Sequence, residues 1–136
     1  MDGMEAHPFN SRIFYPVLCK WLKERGHPIP KLSEVPAIGW IALNDHHLVA
    51  MAFLRRMEGG HALMDGLVTN PEALPNHRHE GLKLAVNKVI QTAKELGIQQ
   101  IIAFTTEESV VKRSITHGFV ATPHQTLILS VHPDGS

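Results

Sequence analysis

The sequence predicts an α+β protein in three layers, with a mixed central sheet and helices on both of its faces. Two observations carry this. Residues 37–43, 48–56 and 61–69 are three strand-like runs joined by short turns, which makes an antiparallel meander. A long amphipathic helix and then a buried strand follow at about 79–96 and 98–105, which makes a β-α-β crossover. A meander followed by a crossover is an α+β order, distinct from the strict βαβα alternation of a doubly wound sheet.

Taken in order, residues 1–10 are polar and read as a loose tail, as do 132–136. Phe14, Val17, Leu18, Trp21 and Leu22 then recur at spacings of three and four, and Gly26 follows as a stop, so 11–25 reads as a helix. Pro16 is compatible with a first turn, which puts the start near Phe14. The segment 27–36 is punctuated by prolines and has room for one short helical turn. Asn44-Asp45-His46-His47 is turn chemistry between the first two strands, and Gly59-Gly60 turns into the third.

In the long helix, Leu82, Val86, Val89, Ala93 and Leu96 make one apolar face, with Ala85 and Ile90 beside it, and Gly97 ends it. Thr105 and Glu108 have capping-box spacing before a second helix at 109–117, which Gly118 stops. A last strand is expected at 126–131. Trp21, Trp40, Phe53 and Phe104 fall at core positions, and Cys19 reads as a small core residue. The whole chain is a single domain, 1–136.

Composition excludes several classes. Thirteen Lys and Arg balance thirteen Asp and Glu, so global charge gives no reason to expect nucleic-acid or anionic-membrane binding. One cysteine allows no intrachain disulfide. No apolar run approaches the roughly 18 residues that span a bilayer, and the first residues lack the pattern of a secretion signal, so a cytoplasmic protein is expected. Ten histidines invite a metal site, but none has metal-ligand spacing, and no metal is expected.

Chemistry concentrates where the strand at 61–69 feeds the long helix. A cation and a glycine in the first turn of a helix make a seat for a phosphate, because the first N–H groups are free and the dipole is positive there. Arg78, His79, Glu80, Gly81 and Lys83 stand at that junction. The run Arg78-His79-Glu80-Gly81-Leu82-Lys83 resembles the pyrophosphate loop of the GNAT acetyltransferase superfamily: Arg or Gln, two residues, Gly, one residue, then Gly or Ala. Lys83 replaces the final small residue. The run Ser114 to Phe119 resembles the family's last helix, which ends in Gly-Phe; Ser114 stands where the family often has the tyrosine that protonates the leaving thiolate. The chain is also similar to short, divergent, phage-encoded acetyltransferase-like proteins.

The resemblance implies acetyl-CoA as co-substrate, with its diphosphate on Arg78 and the loop through Lys83. It also implies that the pantetheine pairs with the backbone of Leu67, Val68 and Thr69 as an added strand would. A backbone N–H near Val68 would polarise the thioester carbonyl. Asp65 lies two residues before Leu67, shares its face on a regular strand, and is the candidate base, with His61 and Glu58 as alternatives. The plainer reading of Asp65 is a partner for Arg55 or Arg56. Ser114, with a hydroxyl pKa far above the ~10 of tyrosine, would act by hydrogen bonding or through water. Lys112 and Arg113, with Lys83, Lys88 and Arg78, would form a modest basic patch for the coenzyme's 3′-phosphate or a nucleic acid.

The expectation is an acetyl-CoA-dependent N-acetyltransferase acting on an amine of a small molecule or protein. The alternative is an inactive GNAT-like module that binds a protein or, less readily, a nucleic acid. The family often pairs through sheet edges, so a homodimer through the C-terminal strand is a further expectation.

Overall fold

The computed structural model describes residues 3–104, 108–122 and 126–131. A seven-stranded mixed sheet runs in the order β1-β2-β3-β4-β5-β7-β6. Its strands are β1 (Met4–Pro8), β2 (Ile38–Asn44), β3 (His47–Arg56), β4 (His61–Thr69), β5 (Gln100–Phe104), β6 (Val120–Ala121) and β7 (Thr126–Ser130). Among the described residues three α-helices cover it: α1 (Ser11–Glu24), α2 (Pro75–Glu95) and α3 (Glu108–Thr116). Leu18 and Trp21 of α1 pack with Ile41, Met51, Phe53 and Val68 on one face of the sheet. The buried side of α2 packs on the other, where Val111 and Phe119 join it. Three layers around a mixed α+β sheet is the architecture expected. No helix among the described residues is long and apolar enough to cross a membrane.

Met4–Pro8 is a strand and not a loose tail: it pairs antiparallel with β2, from Met4 opposite Asn44 to Pro8 opposite Trp40. Its proline stands at the strand end on the sheet's outer edge, where a missing N–H costs no ladder bond. The β2–β3 turn has Asp45 and His46 both at positive φ, 50° and 70°, the geometry that matches the twist of a two-residue hairpin. At the opposite edge β6 lies outside β7, so the C-terminal strand is not the outermost one. Residues 132–136 lie outside the described residues.

Helix α1 begins at Ser11, earlier than Pro16 suggested. Asn10 caps it, its side-chain oxygen accepting from the Arg12 N–H at 3.0 Å, and Pro16 is accommodated in the second turn. Cys19 is half-buried on this helix and not a core residue.

Helix α2 begins at Pro75, four residues before the expected start at 79. Proline at the first helical position loses nothing, because that N–H has no partner in any helix. Leu82, Ala85, Val86, Val89, Ile90 and Ala93 are buried beneath it, and each large aliphatic side chain contributes about 1.5–3 kcal/mol by leaving water. Leu96, expected on that face, is exposed. Gly81 is where helix and sheet come closest: a Cβ there would collide with Val49 of β3.

Strand β4 carries a bulge. Asp65 lies opposite Phe53 and Val68 opposite Met51, so two β4 residues stand against one of β3. Gly66 takes the bulge at φ 61°, and a Cβ there would sit 2.7 Å from Phe53. Gly39 of β2 flanks the same ring from the other side, where a Cβ would sit 2.5 Å away. Beyond the bulge the alternation of faces is inverted: Met64 faces α2, and Val68 faces α1. Strands β4 and β5 are parallel, as expected of the crossover, but they pair only from His61 to Leu63. The rest of β4 diverges from β5 and leaves a wedge between them.

Gly118, at φ 94°, ends α3, and the Phe119 N–H reaches back to the Ser114 carbonyl at 3.1 Å. Phe119 is buried, but Phe104 is 69% exposed and is no part of the core. The proposed capping residue Thr105 lies outside the described residues.

Candidate active site

The wedge opens into a cleft of about 490 Å³ bounded by the end of β4, the start of α2, α3 and the C-terminus of α1. Leu67, Val68 and Thr69 line it, with Arg78 and His79 of α2 and Ser114 and His117 of α3. A second groove of about 890 Å³ runs between the outer sides of α2 and α3, past Lys83, Lys112 and Arg113, and shares His79, Arg113 and His117 with the cleft. The described residues lining cleft and groove include arginines, lysines and histidines and no carboxylate. A region so lined favours an anionic ligand.

The β4–α2 connection is held from within. The Asn70 side chain donates to the Leu48 carbonyl at 3.0 Å and accepts from the Glu72 N–H at 2.9 Å. One guanidinium nitrogen of Arg78, Nη1, donates to the carbonyls of Pro71 (3.1 Å) and Ala73 (2.9 Å). Arg25, at the end of α1, donates to both the carbonyl and the hydroxyl oxygen of Thr69, at 3.0 and 2.7 Å.

Several expected placements change. Arg78 to Lys83 are expected at the junction of loop and first helical turn, but they lie a full turn inside α2, and the Arg78 N–H is already bonded to Leu74. A backbone N–H spent within a helix is not available to a phosphate. The donors left free by helix geometry are those of Asn76 and His77. Gly81 faces the sheet and serves its close approach. Glu80 is exposed and lines neither cavity, whereas Lys83 points into the outer groove.

Asp65 does not share a face with Leu67, because the bulge at Gly66 breaks the period of two. Its carboxylate lies 3.2 Å from Arg55 and accepts from the Gly66 N–H at 2.8 Å, and it lines neither cavity. The plainer reading of this residue is the one the geometry supports. Ser114 lines the cleft.

The sequence pattern assigns no role to His117. His117 reaches into both cavities, and its Nδ1 lies 2.9 Å from the side-chain oxygen of Asn87. An oxygen there accepts, which favours the tautomer with the proton on Nδ1 and a lone pair on Nε2. Nε2 is buried without a hydrogen-bond partner. Burial holds the His117 pKa below its ordinary value, and the positive charge of Lys83, Arg113 and His79 lowers it further. The imidazole is therefore neutral near pH 7.

No protein-family model matches the chain, and no curated protein matches it in sequence. Solved structures do match in fold. The N-acetylglutamate synthase of Neisseria gonorrhoeae, complexed with coenzyme A and L-arginine, superposes with a TM-score of 0.73 at 15% identity, over 97% of this chain and 34% of that one. The ribosomal-protein-S18-alanine N-acetyltransferase of Escherichia coli gives 0.72 at 8% identity, over 94% of each chain. An acetyltransferase of the GNAT family from Staphylococcus aureus Mu50 gives 0.69 at 16%, over 94% of this chain and 99% of that one. The chain thus spans about a third of the synthase and nearly all of the other two.

Proposed function

We propose that this chain, which has the GNAT fold, is an acetyl-CoA-dependent N-acetyltransferase acting on an amine. The observation that carries the reading is the cleft itself. It lies where β4 parts from β5, it is flanked by the N-terminus of a 21-residue helix, and its described lining holds cations and no carboxylate. Those residues fit a polyanionic coenzyme. Coenzyme A is a bound component of the synthase structure that shares the fold.

Acetyl-CoA would supply the acetyl group as an activated thioester. Arg113, Lys83 and Lys112 would meet its phosphates along the outer groove, and the free N–H groups of Asn76 and His77 would face anionic oxygens at the helix N-terminus. The β5-side edge of β4 beyond Leu63, through Leu67 and Val68, would pair with the pantetheine amides, and an N–H near Val68 would polarise the thioester carbonyl. Thr69 is tied to Arg25 and would close that edge.

A thermal-shift titration with acetyl-CoA and CoA tests this. Ligand at about 100 times its dissociation constant stabilises a fold by roughly 2.7 kcal/mol, a rise of several degrees for a domain of this size. A saturable rise, followed by thiol release with a panel of amines, is the expected result. No rise at millimolar ligand would overturn the reading.

The second reading is an inactive GNAT-like module that binds a protein partner. Two observations favour it: Arg78 is engaged by the loop carbonyls, and the residue at the expected tyrosine position is Ser114. Saturable CoA binding without turnover by any amine would select it.

A further inference from the structure

The acetyltransferase reading needs a group that takes a proton from the attacking amine, and the expected carboxylate is absent from the cleft. Asp65 belongs to Arg55, and no described lining residue is acidic. Among the described residues lining the cleft, the groups able to accept a proton near neutrality are imidazoles: His27, His79 and His117. His27 and His79 are exposed. Only His117 combines a held ring with a buried, unpartnered nitrogen.

We propose that His117 is the proton carrier of the transfer, with Asn87 as the positioning residue that fixes its tautomer. The inference rests on the acetyltransferase reading. The amine enters as its free base, and its lone pair forms the C–N bond to the acetyl carbon. The proton shed by that nitrogen goes to Nε2 of His117, which a small shift of α3 must first open to the cleft. The C–S bond breaks with its electron pair on sulfur, and Nε2–H returns the proton to the thiolate, giving the N-acetyl product and free CoA thiol. His117 ends neutral, and no other reactant is consumed.

The surroundings suit the task. His79, Lys83 and Asn87 face the ring from α2 and Arg113 from α3, while Arg78 and, from the end of α1, Arg25 and His27 line the same cleft. No described carboxylate competes for the proton. Positive neighbours keep the base unprotonated at neutral pH and make the imidazolium a readier acid once it forms.

The test has three parts. In the free wild-type protein, nitrogen NMR of His117 should show the Nδ1–H tautomer and an apparent pKa below about 6.5. With acetyl-CoA and a productive amine, His117→Gln should lower kcat by about 10²–10⁴-fold and abolish the acid limb of the pH profile, with coenzyme affinity changed only a few-fold. Asn87→Ala should lower kcat less and shift the imidazole toward the Nε2–H form. An Nε2–H tautomer in the wild type, or a folded His117→Gln protein with wild-type kcat and pH profile, overturns the inference and leaves the acetyltransferase reading standing. A wild-type protein that shows no coenzyme-induced thermal shift overturns both.

Discussion

Two walls of the same cleft are built in opposite ways. On one side, the β4–α2 connection is bonded to itself: Asn70 holds β3 and its own turn, Arg78 holds Pro71 and Ala73, and Arg25 holds Thr69. On the other, α3 presents a histidine fixed through one nitrogen and unpartnered at the second. The first wall carries the residues that pattern singles out, and they are occupied in making a shape. The second carries the run from Ser114 to Phe119, in which no pattern marks His117, and it holds the group with unspent capacity. Rigidity on one side and an available lone pair on the other is a workable division, because a reactive group needs a fixed partner surface to be presented against.

The comparison can be broken most forcefully at Gly81. Gly81→Val would force a branched side chain against Val49 and should cost about 1–3 kcal/mol or more, read as a fall in the denaturant midpoint. A wild-type midpoint would mean that the helix can lift from the sheet without loss. Next in size is Arg78→Ala, which leaves two loop carbonyls without their charged donor and should cost about 2 kcal/mol. The thermal midpoint should fall by roughly 5–10 °C without ligand. Loss of coenzyme binding with unchanged stability would return Arg78 to the role of a phosphate ligand.

The acid side of the stability curve sharpens the view of α3. In the unfolded chain His117 takes up its proton near pH 6.5, and in the folded protein only at lower pH. Its contribution is therefore complete above about pH 6.5 and is lost as pH falls from there toward the folded pKa. Wild type should lose more thermal stability than His117→Gln across that window, and parallel curves would contradict it. The smallest effect belongs to Asp65→Ala. It breaks a half-exposed ion pair worth about 0.2–1 kcal/mol, and turnover should not change. A large fall in kcat would restore Asp65 as the base.

Much of the architecture was legible because periodicity reports burial. β4 runs over the residues its pattern marked, 61–69, and the buried face of α2 is the one its three-and-four spacing drew, apart from Leu96. What escaped was governed by contacts that pattern does not encode. β1 is an edge strand with only Met4 and Ala6 toward the sheet's neighbours, too little alternation to read beside Glu5, His7 and Pro8. The start of α2 has a signal, Pro75 followed by a long helical run, but the Arg-x-x-Gly pattern three residues on points to a later start. The bulge had one too, a glycine inside a strand, and without it the face of Asp65 is assigned backwards. His117 had none, because its value lies in a contact to Asn87, thirty residues away.

The glycines on either side of Phe53 bear on how the sheet comes together. The ring fits because β2 and β4 each present a residue without a side chain beside it. A slip of one residue on either flank would set Ile38 or Trp40, or Asp65 or Leu67, where a bare backbone is required, and would turn the alternating side chains to the opposite layer. The central strand therefore has one alignment open to it, checked on both sides by a single aromatic ring. Misaligned pairings would be penalised wherever that ring meets a side chain.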